Sequence, residues 1–567
     1  MRKTLLITAL LTAFALCTSA KEIRTREYRA YRPLRELARE LKVSEYDHYE
    51  NPTGIYVAKP GKLTVTVKNM QGMTSRELAL IVRSFDYGDE WEERYPLHKG
   101  KNVLEVDHAG LTYVDYRTPD YKTAKPVQIS IKGGEYNGFF DKAKDSDEDW
   151  TALLKNAKSQ FVDLVGDYVH LTYKVSILEK TCPEKGWELI DAYDQLIGLQ
   201  YDLMGLVKYD RVPVNHMFAR HVAGGYFADG YGAAFDNGSI ADPATAKTED
   251  VWGIAHEFGH VNQIRPGLKW VSTTELTNNV YSICSRYVYF PEYMNLEMER
   301  LPDCEGHNIC GGRYSSFLNF AIRDKAHWLT QRGPDDQRIY EPGMSRDHFV
   351  KLIPIWQMLL YYRYMDTAPW YKPDWYADIA ETVRTWPREM DRAPHGVLNC
   401  EFMKNAMKYT GQDLSDFFEA IGMLAPLDEE AMNDYSCAPF KIDAQMIADV
   451  KAFGAQFPKP ATPVLYYLSY YSKEAFEKML PVEGEYGKGA EFDGKETVKV
   501  DHDVWKNVAV FEAYEGDTLR YISMKCLGNE GRKDLERRYT YAIYPEGCTR
   551  LEAVGADGKR TLVYGTR

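Results

Sequence analysis

The stretch "VWGIAHEFGHVNQIRPGLKWVSTTELTNNVYS", residues 251–282, decides how the rest of the chain is read. Asp250 to Ile264 has the spacing of an amphipathic helix, with Val251, Ile254, Ala255, Phe258 and Val261 as its apolar set. His256 and His260 then stand one turn apart, about 40° around the axis and about 6 Å along it. Two imidazoles so placed can ligate one Zn²⁺ at about 2.0–2.1 Å each. Glu257, beside the first histidine, is placed to reach a water on the metal rather than the metal itself. That is the arrangement of a hydrolytic site, in which the metal acidifies the water and the glutamate takes its proton.

A catalytic zinc needs a third protein ligand and one open position. Glu275 is the candidate, in the first turn of "STTELTNNVYSICSRYVY" (272–289), a second helix after a loop with Pro266 and Gly267. Ser272-x-x-Glu275 is also the pattern of a helix capping box, so a purely structural role for Glu275 stands beside the ligand role. Asn278 and Asn279 lie near the same face and either serve the local structure, orient Glu275 or contact substrate. His216, His221, His307 and His327 are scattered and read as structural or exposed.

Upstream, residues 22–45 read as one charged helical lead-in. From about residue 48, "GIYVAKPGKLTVTVKN", "ELALIVRSF", "NVLEVDHAGLTYVDYR" and "PVQISIKGG" alternate apolar and polar residues between Pro-Gly and Gly-Gly turns. They predict a β-sandwich ending near Phe140. Helical periodicity follows in "DEDWTALLKNAK" and "GWELIDAYDQLIGLQYDLMGLV" and continues, beyond the opening stretch, to about residue 457. "FPKPATPV" then reads as a connector to a strand-rich tail. The fold class expected is multidomain α+β. Residues 21–47 are the lead-in, 48–142 an N-terminal β-sandwich, 143–457 a mainly helical zinc peptidase-like domain and 458–567 a C-terminal β-sandwich.

The 567 residues carry a formal net charge of −13 with no basic cluster, so nucleic acid is not an expected partner. Residues 1–20 have a basic start, an apolar run from Leu5 to Leu16 and a small-residue end, the pattern of an export signal. Leu16 is bulkier than the residue a lipoprotein signal prefers before its cysteine. Export is therefore expected over lipid attachment at Cys17. No later segment reads as a membrane span. An exported chain permits disulfides, and Cys304/Cys310 and Cys526/Cys548 are the local pairings the spacing offers.

"HEFGHVNQ", then Trp270 and "TELTNN", resembles the signature of the enhancin-like, mucin-degrading zinc peptidases, metallopeptidase family sixty. "HAGLTYVDYR" and "GGEYNGFFD" resemble the accessory β domain of that family, and "LIPIWQMLLYY" and "LSDFFEAIGM" its helical second half. The likeness runs over roughly residues 48–425. It implies a gluzincin fold with one Zn²⁺ per chain held by His256, His260 and Glu275, and Glu257 as general base. It also implies an edge strand near "GGYFADGYGAAF" and O-glycosylated, mucin-type glycoproteins as substrates. Nothing in composition or spacing speaks to the glycan, and no substrate-contacting residue is identified.

Overall fold

The computed structural model describes residues 24–70, 74, 76–86, 88, 90–236, 251–331, 347–526 and 538–566. The expected leader, residues 1–20 with Cys17, lies outside the described residues. The chain forms two compact units. The first comprises Met1–Arg39, Ser44–Ile197 and Pro213–Asp250, the second Glu40–Val43, Gly198–Val212 and Val251–Arg567. Neither expected boundary, near 142 or near 457, is an edge of a unit.

The first unit is built from three sheets. Strands β1 (Arg24–Tyr28), β8 (Val127–Lys132), β3 (Gly61–Lys68) and β6 (Gly100–Val106) form one. Strands β5 (Trp91–Pro96), β4 (Leu78–Ser84), β7 (Gly110–Tyr116), β2 (Pro52–Val57) and β9 (Glu135–Tyr136) form the next. Their inner faces share one apolar cluster. In β3 the alternation buries Leu63, Val65 and Val67, and these join Leu78, Leu80 and Val82 of β4 and Val114 of β7. The β7 residues are buried on both faces, because Leu111 and Tyr113 join Ile81 in a second cluster with Phe161 and Phe218. Those last two belong to the third sheet, ordered β10 (Phe140–Asp141), β11 (Phe161–Val165), β12 (Val169–Lys174), β13 (Met217–His221), β15 (Gly232–Phe235) and β14 (Phe227–Asp229). The stretch expected to hold an edge strand does hold one: β14 is the sheet's last strand.

The lead-in corrects an expectation. Residues 24–28 are not helical but pair antiparallel with β8, and only Leu34–Leu41 is helix. Arg24, Arg26 and Tyr28 alternate in "RTREY", a strand period hidden among charges that also suit a helix. "FVDLV" and "VHLTYK" form β11 and β12 inside the region read as helical.

The second unit holds helices Val251–Asn262, Asn279–Tyr289, His348–Arg363, Trp375–Arg384 and His395–Thr410. Two hairpins interrupt them, β16/β17 (Arg300–Pro302, Asn308–Cys310) and β18/β19 (Leu427–Asn433, Cys437–Ile442). Two further sheets follow. One has the order β20 (Ala490–Phe492), β21 (Thr497–Asp501), β24 (Tyr539–Ile543). The other runs β23 (Thr518–Met524), β22 (Val510–Glu515), β25 (Arg550–Val554), β26 (Arg560–Gly565). They share a core that includes Val498, Val500, Phe511, Leu551 and Val563. No disulfide joins the described cysteines, and the thiol neighbour of Cys526 is Cys310 rather than Cys548, the two lining one cavity. No described helix is long and apolar enough to cross a membrane.

Candidate metal centre

The helix Val251–Asn262 buries the apolar set expected of it, with Val251, Ile254, Ala255 and Phe258 fully enclosed. Its end is fixed by Gln200, whose amide donates to the Ala255 carbonyl at 3.0 Å and whose carbonyl accepts from Asn262 at 2.7 Å. His256 and His260 lie on the less buried side. Gly259, between them, is what lets the next helix approach: a Cβ there would lie 2.7 Å from the Asn278 carbonyl oxygen.

The second helix is not continuous. A single turn, Thr274–Thr277, carries Glu275, and Asn278 then caps the helix Asn279–Tyr289. The break has a local cause, since the Asn278 side chain accepts from the Asn279 backbone amide at 2.9 Å. The capping box read from Ser272 does not form. Ser272 takes a left-handed backbone (φ 67°), and its hydroxyl and carbonyl oxygens accept from Lys351 Nζ at 2.9 and 3.0 Å. Glu275 is thereby released from capping.

The Glu275 carboxylate turns to the histidines. Its Oε2 lies 3.2 Å from His256 Nε2 and 3.2 Å from His260 Nε2. A tetrahedral ion with ligands at about 2.0–2.1 Å would hold two of them about 3.3–3.4 Å apart, so the spacing fits a zinc-sized ion. The outer ring nitrogens are anchored elsewhere. His256 Nδ1 donates to Asn279 Oδ1 at 3.0 Å and His260 Nδ1 to Gln263 Oε1 at 3.3 Å, which leaves both Nε2 lone pairs facing Glu275. Asn278 Nδ2 sits 3.1 and 3.0 Å from those two nitrogens and 3.5 Å from Glu275 Oε2, so one donor group is addressed by all three. Gln263 is itself held, donating to the Thr274 carbonyl and the Thr277 hydroxyl.

Charge follows geometry. Burial would raise the Glu275 carboxyl, but the two imidazoles win and hold it well below the usual carboxylate range. Burial would lower His256, yet Glu275 and Glu257 raise it. Glu257 behaves differently. It is 5% exposed, burial pushes its carboxyl up against the opposing pull of both histidines, and its Oε2 has no hydrogen-bond partner among the described residues. Its Oε1 stands 4.0 Å from His256 Nε2, a wider spacing than the 3.2 Å that separates Glu275 Oε2 from either histidine. A buried, partly unsatisfied carboxylate with a raised pKa is the equipment of a general base.

All four residues expected at the site therefore meet there, and Asn278 and Asn279 join them as orienting groups. Others were not legible. His348, pushed down to about 3 by burial, is a neutral imidazole in electrostatic reach of Glu275, His256 and His260. Phe349 beside it meets Trp252 of the histidine helix at 5.8 Å and lies under Arg313 at 4.5 Å. Asp434 and Tyr435, at the tip of β18/β19, contact the Glu275 turn. Only Gln263, three residues after His260, had a local signal, the i, i+3 spacing.

A family model described as Peptidase M60, enhancin and enhancin-like, matches residues 133–422, a span that includes His256, Glu257, His260 and Glu275. Among solved structures, a metallopeptidase in complex with Tn antigen is 25% identical, with TM-score 0.70 over 95% of this chain and 98% of that one. A metallopeptidase from Bacteroides thetaiotaomicron is 25% identical, with TM-score 0.72 over 98% and 92%. The M60 catalytic domain of Clostridium perfringens ZmpC, in complex with the sialyl T antigen, shares the fold at 13% identity and TM-score 0.63, covering 95% of this chain and all of that one. Among curated proteins, TRPM8 channel-associated factor 3 of Rattus norvegicus is 21% identical over 271 residues, 47% of this chain but only 28% of the relative's own length.

Proposed function

From the premise that this chain belongs to the M60 peptidases, enhancin and enhancin-like, and is a metallopeptidase, we propose that it is an exported zinc endopeptidase cutting O-glycosylated, mucin-type glycoproteins. One zinc per chain would be held by His256, His260 and Glu275. Bound there, it would supply Lewis acidity and an acidified water. The protein's own share falls to the Glu257 carboxylate, whose Oε1 lies toward His256 Nε2 and takes the proton of the attacking water, then delivers it to the departing amine. Burial makes that carboxylate a stronger base than one in water, and Asn279 and Gln263 keep the histidines from turning.

The observation that carries the reading is the convergence of Glu275 Oε2 on both Nε2 atoms at 3.2 Å, with Glu257 Oε1 set farther off, 4.0 Å from His256 Nε2. The glycan requirement draws support from solved relatives whose structures hold Tn and sialyl T antigens. The shared-core sheets at the two ends are read as accessory β-sandwiches, residues 48–142 and 458–567, flanking a catalytic domain of residues 143–457. Matched peptides with and without O-linked glycan test the substrate class: the glycosylated form should be cut and the bare form poorly. Equal cleavage of both would leave a peptidase without glycan dependence.

A further inference from the structure

Glu275 is the one ligand that the histidine helix does not carry, and its own turn is short. The N-cap residue Thr273 makes no side-chain capping bond to that turn. The cap comes instead from 160 residues away: Asp434 Oδ2 accepts from the Thr273 and Thr274 backbone amides, each at 3.1 Å, and from the Thr274 hydroxyl at 2.8 Å. The neighbouring Tyr435, in a left-handed conformation (φ 62°), donates its hydroxyl to Glu275 Oε1 at 2.6 Å. The two carboxylate oxygens are thus divided. Oε1 is taken by the phenol and Oε2 faces the histidines.

The hairpin is braced to hold this position. Its strands pair up to Asn433↔Cys437, directly beside the tip. Strand β19 lies against the helix His395–Thr410, where Gly396 permits an approach no side chain would: a Cβ there would fall 1.7 Å from the Lys441 carbonyl oxygen. The preceding residue, His395, accepts from the Val271 amide at 3.2 Å, so one helix end steadies both the hairpin and the loop leading to Glu275.

We propose that the tip of β18/β19 is a clamp on the metal site, in which Asp434 fixes the ligand's turn and Tyr435 fixes the carboxylate so that Oε2 alone meets the metal. The inference rests on His256, His260 and Glu275 being the ligands. Asp434 and Tyr435 are positioning residues: neither touches the reacting atoms, and both act through Glu275. Without the phenol the carboxylate can rotate or offer both oxygens, and loss of such an outer hydrogen bond typically costs about 10–100-fold in metal affinity.

The test uses the full chain, zinc alone and a competing chelator, with Tyr435→Phe and Asp434→Ala compared to wild type. Tyr435 is 71% exposed, so its conversion to Phe should leave the melting temperature of the metal-free protein unchanged. Zinc affinity should nevertheless fall about 10–100-fold. The cobalt-substituted variant should show the weaker visible absorption of a higher coordination number. Asp434→Ala should weaken binding in the same sense, and if it fails to fold, Tyr435→Phe decides. Zinc affinity within about twofold of wild type, with an unchanged cobalt spectrum, would overturn the clamp alone. A wild type that binds no zinc would overturn the ligand set and the clamp with it.

Discussion

Among the described residues, a cluster of histidines and carboxylates in each unit invites comparison, and the chemistry of the two is opposite. In the second unit, His256 and His260 spend their outer nitrogens on the amide oxygens of Asn279 and Gln263 and present their inner lone pairs to Glu275. In the first unit, Asp47, Glu50 and His216 also lie close enough to hold an ion. There, however, the carboxylates are engaged by neighbouring donors. Glu50 accepts from the His216 backbone amide at 2.8 Å and from its Nδ1 at 2.7 Å. Asp47 and Asp163 flank His170 at 3.1 and 3.2 Å, and Asp163 also accepts from Tyr113 and Thr172. Burial would lower His170, but the two carboxylates lift it to about 10. A histidine held as a cation between two anions is a structural bridge and offers no lone pair to a metal. Residue type does not separate the clusters. What the outer nitrogens bind does.

The largest effect expected from this contrast is in metal content. His260→Ala should lose essentially all tightly bound zinc by elemental analysis, although the cluster of Asp47, Glu50 and His216 is untouched. Near-stoichiometric zinc in that variant would erase the distinction between the two sites.

A smaller effect separates them by pH. His170 has a folded pKa raised above its unfolded value of about 6.5. Its contribution to stability is therefore complete below about pH 6.5 and is lost as pH rises through about 10. The size should be on the order of 5 kcal/mol, read from the unfolding transition between pH 6.5 and 10. A His170→Gln variant should be less stable than wild type at pH 6.5 and show a flatter profile. The metal site should fail at the other end, in acid, where protons compete for Nε2. A profile for His170→Gln that matches wild type would show that the network carries no such charge.

How much of this could be read beforehand follows from how local each signal is. The pair His256 and His260 with Glu257 is written in one helical period, and the apolar set that buries their helix sits within twelve residues. Glu275 needed only the next element. The break at Asn278 was not legible, because an asparagine suits both a helix interior and a cap. Nor were Asp434 and Tyr435, since "LDEEAMNDYSCAPFKI" is acidic and mostly exposed, without the alternation that marks a half-buried hairpin. His348 reaches the site only through tertiary packing. The strand at Arg24–Tyr28 was missed for the converse reason: a charged run fits either period until its partner, β8, is known.

The central claim is that Glu257 serves the water and not the metal, and Glu257→Gln tests it most directly. Zinc content and O-glycopeptide turnover would be measured on the same preparation. The account predicts wild-type zinc, glycopeptide bound but uncleaved, and turnover lower by at least the roughly 10²–10⁴-fold that losing a general base costs. Full activity in that variant would contradict it, and so would loss of the metal, which would make Glu257 a ligand.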